Sequence, residues 1–144
     1  MAIRNKRILF LCQDNACLSV IAEAIARRLG PPQNVQVFSA GIIPASLDKS
    51  TGEALAERGI DVLSAGKGLD PISRDEIDLI VVLGTLRGSA PIFPSRTRWE
   101  YWPVFDPRKE QHGVLLHSIR HAIDDLYTRV AGLFLDDWRR CAVT

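Results

Sequence analysis

The chain has 144 residues, of which 47% are apolar and 24% charged, and a formal net charge of +1. This composition suits one soluble globular domain with a sizeable core, and the near-zero charge gives no reason to expect nucleic acid or a membrane surface as a partner. No apolar run approaches the roughly 18 residues of a membrane span, and the basic N-terminus precedes an apolar run too short for a signal peptide. We therefore expect a cytoplasmic protein with a single domain over residues 1–144.

Short apolar runs alternate with amphipathic segments in the first half of the chain. Residues 8–11 (ILFL) predict a strand buried on both faces. Apolar residues at helical spacing follow up to Leu29, with Glu23 and Arg27 on the polar face, and the prolines after Gly30 end that helix. A second strand is predicted at 35–38, and a helix over roughly 50–58 ends at a glycine.

The second half continues the alternation. Residues 79–83 (LIVVL) are the strongest buried-strand signal, residues 84–94 are rich in turn formers, and residues 101–102 predict a short strand. Apolar residues at helical spacing predict a long helix over about 115–134. This order predicts an α/β fold, a Rossmann-like short central parallel sheet with right-handed crossovers and helices on both faces.

The cysteines point away from a disulfide framework and from a metal site. There are three, an odd number, without C-x-x-C spacing and far from the histidines, so we expect no zinc, no other metal and no cofactor. Cys141 near the end is interpreted as incidental, whereas Cys12 and Cys17 fall in one strand-to-helix turn.

That turn has the features of an anion site. Ligands of open α/β sheets collect at the carboxyl ends of strands, and a helix N-terminus there offers N–H groups to an anion. Cys12 ends the first strand, Asn15 tolerates a left-handed conformation, and Ser19 lies near the helix start. The position favours a thiolate, so Cys12 is a candidate nucleophile. The alternative is a buried cysteine that acts only as a small hydrophobic residue.

Residues 9–27 (LFLCQDNACLSVIAEAIAR) resemble the phosphate-binding loop of the low-molecular-weight protein tyrosine phosphatases, whose superfamily includes the thioredoxin-coupled arsenate reductases. Cys12, Asn15, Cys17 and Ser19 match the family pattern in register. The segments SAG (39–41), LAERGIDV (55–62), IDLIVVLG (77–84) and PIFPSRTRWEYWPVFDP (91–107) are also similar to family segments. The resemblance spans about residues 7–135, its second half is closer to the reductase branch, and it implies a single low-molecular-weight phosphatase-like domain.

The resemblance implies a site that binds phosphate, sulfate or arsenate. Its oxyanion-binding loop would consist of Gln13, Asp14, Asn15, Ala16, Cys17 and Leu18 after the nucleophile. Cys12 would form a cysteinyl-phosphate, and Asp106 would act as general acid and then as base, unless it is only a turn residue. Ser19 would donate to the thiolate or cap the helix, and Asn15 would shape the loop.

Other residues of the matched segments have two interpretations each. Cys17 would form a reversible disulfide with Cys12 under oxidation or simply pack in the core. In the phosphatases aromatic residues near the general acid line the pocket wall, which is one interpretation of Trp99, Tyr101 and Trp102. The other is core packing, which we expect for at least two of the three.

The chain departs from the family at the most demanding position. Leu18 replaces the loop arginine, whose fork would clamp two phosphate oxygens and stabilise charge during transfer. Arginines elsewhere are candidates to replace it: Arg4, Arg7, Arg74, Arg87, Arg96, Arg98 and Arg108. The relay cysteines of the reductases would fall near Gly84 and Ala90, so thioredoxin-coupled arsenate reduction is not expected.

Two hypotheses follow. The first is a slow cysteine-dependent phosphatase, and the second is a pseudophosphatase that binds an oxyanion or a phosphotyrosine protein without turnover. The sequence leaves the physiological substrate and the oligomeric state open.

Overall fold

The computed structural model describes residues 6–88, 90–109 and 115–137. Their strands are β1 (Lys6–Cys12), β2 (Val35–Gly41), β3 (Leu79–Leu83) and β4 (Arg98–Trp102). Their α-helices are α1 (Leu18–Leu29), α2 (Lys49–Glu57) and α3 (Leu115–Gly132). Short 3-10 turns lie at Arg74–Glu76 and Pro107–Lys109, and a π-helical turn, Leu133–Asp137, follows α3.

The strands form one parallel sheet in the order β2-β1-β3-β4. In this register Cys12 lies opposite Gly41, and Leu83 lies opposite Trp102. The carboxyl ends of all four strands therefore meet at one edge of the sheet, where ligands of such folds bind. The prediction of an α/β fold with a short central parallel sheet is confirmed.

The two faces of the sheet are covered differently. Alternate strand residues such as Ile8 and Phe10 pack with the three helices in one hydrophobic cluster. Leu9 and Leu11 belong to a second cluster, whose cover comes from the connections before β3 and before β4. Helices on both faces were expected, but in the described residues the second face is covered by these connections. The connection before β3 contains Gly66, Gly68 and Pro71, which are residues that disfavour helix formation.

Several element ends differ slightly from the sequence prediction. β2 reaches three residues beyond the predicted strand because Ser39 to Gly41 pair with the end of β1. α1 ends at Leu29, as predicted, and its C-cap Gly30 has a φ of +81° that only glycine adopts at little cost. α2 begins after Asp48, whose carboxylate caps the helix by accepting from the Thr51 amide at 2.9 Å.

Candidate active site

Residues 12–18 join the carboxyl end of β1 to the N-terminus of α1, and the carbonyl groups of residues 12–16 are turned outward. The carbonyl oxygens of residues 12–16 accept hydrogen bonds of 2.9–3.2 Å from amides of residues 42–48 and 66. Across a planar trans peptide, the C=O of one residue and the N–H of the next point in opposite directions, and the described residues contain no cis peptide. The amides of residues 13–17 are therefore directed toward the inside of the loop, as an anion cradle requires.

The end of β2 lies against this loop so closely that a side chain does not fit between them. A Cβ built on Gly41 would lie 2.4 Å from the carbonyl carbon of Asp14 and 2.6 Å from the Asn15 nitrogen. Asn15 itself has a φ of +52°, in the left-handed region that asparagine tolerates. The structure thus explains why the family pattern has a glycine at position 41 and an asparagine at position 15.

A chain of hydrogen bonds fixes the surroundings of the Cys12 sulfur. The Lys67 amide donates to Asn15 Oδ1 at 2.9 Å, so Asn15 Nδ2 is the donor toward Ser19 Oγ (2.8 Å) and Ser39 Oγ (3.0 Å). Since Ser19 Oγ accepts from Asn15, its own proton is available to Cys12 Sγ at 2.8 Å. The Asn15 amide lies 3.3 Å from the same sulfur. Two donors thus converge on Cys12.

Ser19 is therefore not the helix cap that was its alternative interpretation. α1 begins at Leu18, and its N-cap residue is Cys17, without a side-chain capping bond. Ser19 lies inside the first turn, fully buried, with its hydroxyl against the sulfur of Cys12.

Glu23 is a buried carboxylate behind this series of hydrogen bonds, although the sequence pattern placed it on a polar helix face. Glu23 is only 6% exposed; it accepts from Ser39 Oγ at 2.6 Å, from Lys67 Nζ at 2.9 Å and from Arg27 Nη2 at 2.9 Å. Burial by itself raises the pKa of Glu23, but the hydrogen bonds from Ser39, Lys67 and Arg27 outweigh it and hold the pKa below its ordinary value. Of these contacts, only the i,i+4 spacing of Glu23 and Arg27 was visible in the sequence.

An open cavity of about 680 Å³ lies above the loop, at the carboxyl edge of the sheet. Cys12 and Asp106 both line it, so the fold brings the predicted nucleophile and the predicted acid to one cavity. The loop residues Gln13, Asp14 and Leu18 also line it, and Arg87, Tyr101, Phe105 and Arg108 contribute to its walls. In the described residues no group of three or more His, Cys, Asp or Glu side chains is placed to hold a metal ion.

Leu18 occupies the arginine position of the loop as a packed core residue. It is 3% exposed, belongs to the helix-covered hydrophobic cluster, and reaches the cavity lining. Its side chain has neither charge nor donor, so the loop has no cation at this position.

A different arginine reaches the cavity from the opposite wall. Arg108 donates through Nε to Asp106 Oδ1 (3.1 Å) and through Nη2 to Asp106 Oδ2 (2.7 Å). It also donates to Asp14, from Nη1 to Oδ2 at 2.8 Å and from Nη2 to Oδ1 at 3.2 Å. The bonds to Asp106, followed by those to Asp14, raise the pKa of Arg108 above its ordinary value in spite of burial. Arg108 thus binds both oxygens of the Asp106 carboxylate.

The other candidate arginines are less well placed. Arg87 lines the cavity, and its backbone amide donates to Gln13 Oε1 at 2.8 Å. The structure pairs three others with groups that do not line the cavity, namely Arg7, Arg74 and Arg96. Arg98 begins β4, while Arg4 and Cys141 lie outside the described residues.

Cys17 faces the helix core and not the cavity. Its sulfur accepts from Thr51 Oγ1 at 3.1 Å, and burial raises the pKa of the thiol to about 12 although the Thr51 hydrogen bond opposes the shift. Cys12 and Cys17 are both free thiols in this structure. These contacts are those of the packing residue that was one of the two interpretations of Cys17.

At least two of the three aromatic residues before Asp106 pack in the core, as expected. Trp102 is 6% exposed in the helix-covered cluster and also lines the cavity, and Trp99 packs against the second cluster with its ring 5.8 Å from that of Phe93. Tyr101 is 65% exposed and stands at the wall of the cavity.

The fold and the loop define a member of a known class. Residues 7–131 match the family described as low molecular weight phosphotyrosine protein phosphatase. An arsenate reductase of Bacillus licheniformis is 32% identical over 135 residues, which cover 88% of this chain and 96% of that protein. The chain therefore belongs to the low molecular weight phosphotyrosine protein phosphatase family, as its resemblance predicted.

Solved structures agree with this fold. An arsenate reductase in the phosphate binding state has a TM-score of 0.74 at 24% identity and covers 90% of this chain and 97% of its own. The YwlE arginine phosphatase from Geobacillus stearothermophilus has a TM-score of 0.69 at 21% identity, with 94% of both chains covered. Among the residues described here, no helix has both the length and the hydropathy that crossing a membrane requires.

Proposed function

We propose that this protein binds a phosphate-type oxyanion in the loop of residues 12–18 and hydrolyses phosphomonoesters slowly through Cys12. The observation that carries the proposal is the convergence of Ser19 Oγ and the Asn15 amide on the Cys12 sulfur, at 2.8 and 3.3 Å, beneath the cavity. The Cys12 thiolate would attack phosphorus, the bond to the leaving oxygen would break, and water would then hydrolyse the cysteinyl-phosphate. The inward amides of the loop would stabilise the charge on the equatorial oxygens.

The proposed rate is low for two reasons. Leu18 offers no donor to the transferring group, and loss of one preorganised donor typically costs roughly 10²–10³ in rate. In addition, Arg108 binds both carboxylate oxygens of Asp106, and a general acid needs one of them to carry the proton for the leaving group. We therefore expect turnover of aryl phosphates with good leaving groups and little turnover of alkyl phosphates.

A second candidate function is oxyanion binding without turnover, with a phosphate ion or a phosphotyrosine side chain as the ligand. Leu18 and the Arg108–Asp106 pair favour it, because both weaken the chemical steps while the cradle of inward amides is retained. A phosphate-bound arsenate reductase of this fold is consistent with an oxyanion as the ligand here.

Arsenate reduction is the activity named for relatives such as the Bacillus licheniformis protein. The resemblance implies that the relay thiols of that activity would fall near Gly84 and Ala90 in this chain. Because neither position is a cysteine, the disulfide relay has no thiols there, and arsenate serves in our proposal only as a bound oxyanion.

The test is hydrolysis of a simple aryl phosphate by wild type, Cys12→Ser, Leu18→Arg and Cys17→Ser. Cys17→Ser is the matched control, since it removes a thiol of the same loop whose sulfur bonds Thr51 away from the cavity. We expect wild type and Cys17→Ser to turn over, Cys12→Ser to be inactive, and Leu18→Arg to be faster. Activity that survives Cys12→Ser would overturn the proposal, and an inactive wild type with an active Leu18→Arg would establish the second candidate.

A further inference from the structure

The cavity contains two carboxylates, Asp14 and Asp106, close to where an oxyanion would bind, and one guanidinium that joins them. Four of the five N–H groups of Arg108 are used in these contacts, two with each carboxylate. Asp14 belongs to the anion loop itself and Asp106 to the opposite wall, 92 residues further along the chain (106 − 14). Arg108 therefore bridges the cavity.

We propose that Arg108 is the oxyanion-binding cation of this site, in the role that Leu18 cannot perform, and that Asp14 competes with the anion for it. The inference rests on the proposed function, because it requires the loop to bind an oxyanion. A guanidinium is a planar fork that binds the two oxygens of a carboxylate or of a phosphate in the same way. We therefore infer that a bound oxyanion takes the place of the Asp14 carboxylate and presents two of its oxygens to the Arg108 guanidinium.

The charges around the cavity support this assignment. Asp14 and Asp106 carry two negative charges, and Arg87 and Arg108 carry two positive ones, so these four side chains of the described lining sum to zero before the proposed Cys12 thiolate is counted. Without Arg108, an incoming oxyanion would meet two carboxylates with the exposed Arg87 as the remaining described cation of the lining, and like charges in such a site oppose binding strongly. Arg108 is held within the fold, with 25% of its side chain exposed, which gives its charge a fixed position that a solvent-exposed arginine lacks.

A purely structural bridge would behave differently from a competing pair. If Arg108 only tied the loop to the opposite wall, breaking the bridge from either end would loosen the loop and weaken oxyanion binding. If Arg108 is the cation and Asp14 its competitor, the two ends have opposite effects. Arg108→Gln weakens binding, whereas Asp14→Asn strengthens it by releasing N–H donors and removing a like charge. Asn at position 14 keeps the Oδ1 acceptor of the Ala16 amide, so the loop retains that bond.

The experiment is titration of the full chain with inorganic phosphate at constant ionic strength, by calorimetry and by the phosphate-dependent shift in melting temperature. We expect Arg108→Gln to weaken binding by about 10²-fold and Asp14→Asn to tighten it by about tenfold, from the usual strength of hydrogen bonds to charged groups. Arg108→Lys keeps the charge without the fork and falls between wild type and Arg108→Gln. Arg129→Gln, which breaks an exposed pair with Asp125 on α3, changes the net charge equally and leaves phosphate binding unchanged.

The outcomes separate this inference from the proposed function. If wild type binds phosphate and Arg108→Gln binds it equally well, the role of Arg108 is overturned and the proposed function stands. Weaker binding by both Arg108→Gln and Asp14→Asn reduces the bridge to a structural one. Wild type that binds neither phosphate nor arsenate overturns the proposed function and this inference with it. If Arg108→Gln does not fold, unchanged or weaker binding by Asp14→Asn is sufficient to overturn the competition.

Discussion

Leu18 fills the space beside Gly84, so that a Cβ on Gly84 would lie 3.2 Å from Leu18 Cδ1. Gly84 follows β3 with a φ of +74°, in the region that glycine adopts without cost. The residue that replaces the loop arginine is thus packed against the turn after the central strand. A leucine at this position stabilises the protein through core packing where an arginine would act on the ligand.

Gly84→Ala is expected to destabilise the protein by roughly 1–3 kcal/mol, from the left-handed φ and the crowding with Leu18. Urea unfolding of Gly84→Ala, Leu18→Ala and the double variant measures this. Because Leu18→Ala removes the crowded atom, the double variant should be destabilised by at least about 0.5 kcal/mol less than the sum of the single variants. Strict additivity would mean that Leu18 does not press on this turn.

Gly41→Ala tests the close approach of β2 to the anion loop. The added Cβ would lie 2.4 Å from the Asp14 backbone, so the loop must move, at a cost of roughly 1–3 kcal/mol. Since the moved segment carries the inward amides, we also expect the phosphate-dependent shift in melting temperature to be lost.

Gly132→Ala is the matched control for Gly41→Ala. Apart from the helix's own backbone, a Cβ at this position, the last of α3, meets no atom of the described residues within 4 Å, and alanine in place of a helical glycine adds up to about 1 kcal/mol of stability. Urea unfolding and phosphate titration of Gly41→Ala and Gly132→Ala compare their stability and their phosphate response. A Gly41→Ala protein that keeps both wild-type stability and the phosphate response would show that the approach is looser than the structure has it.

The strand-to-helix loop was predictable from sequence because its signals are local. An apolar run, a cysteine, an asparagine suited to a positive φ and a following amphipathic helix all lie within residues 8–29. The partners of Arg108 were not predictable, since its bonds to Asp14 join positions 94 residues apart that meet only after β4 is added to the sheet. The arginine itself was a candidate, but as one of seven.

Glu23 shows why helical periodicity misleads near such a site. A carboxylate four residues before Arg27 is typical of a solvated helix face, yet Glu23 is 6% exposed. Its partners Ser39 and Lys67 come from β2 and from the connection that follows α2, so neither is signalled by the helix sequence. The second face of the sheet was misjudged for a related reason, because apolar residues in a connection cover a sheet without any helical period.

Cys17 should resist alkylation in the folded protein. Burial raises the pKa of its thiol to about 12, so very little thiolate exists at neutral pH, and the buried sulfur is also inaccessible to reagent. Mass spectrometry after iodoacetamide treatment at about pH 8 should find Cys17 unmodified in the native protein and modified when denaturant is present. Native labelling at the rate of an unfolded peptide would place this thiol outside the core.

Glu23→Gln should lower stability in a pH-dependent manner. The hydrogen bonds from Ser39, Lys67 and Arg27 hold the pKa of Glu23 below its ordinary value of 4.5 in the folded state. A carboxyl whose pKa is lowered on folding contributes stability that is fully present above its unfolded pKa and is lost as the pH falls through its folded pKa. The variant should therefore be less stable than wild type by roughly 2 kcal/mol near neutral pH, less than a fully buried pair because Arg27 and Lys67 are partly exposed.

Urea unfolding of Glu23→Gln and wild type across the acidic range measures this difference, which should shrink as the pH falls below about 4.5. The control is Glu53→Gln on α2, whose pair with Lys49 is exposed at 4.0 Å and should leave the pH profile of wild type unchanged. A constant difference between Glu23→Gln and wild type at every pH would mean that packing, and not the ionised carboxylate, stabilises this position. Because Ser39 links Glu23 to Asn15, a loss of the phosphate response in the same variant would show that the buried carboxylate also supports the anion loop.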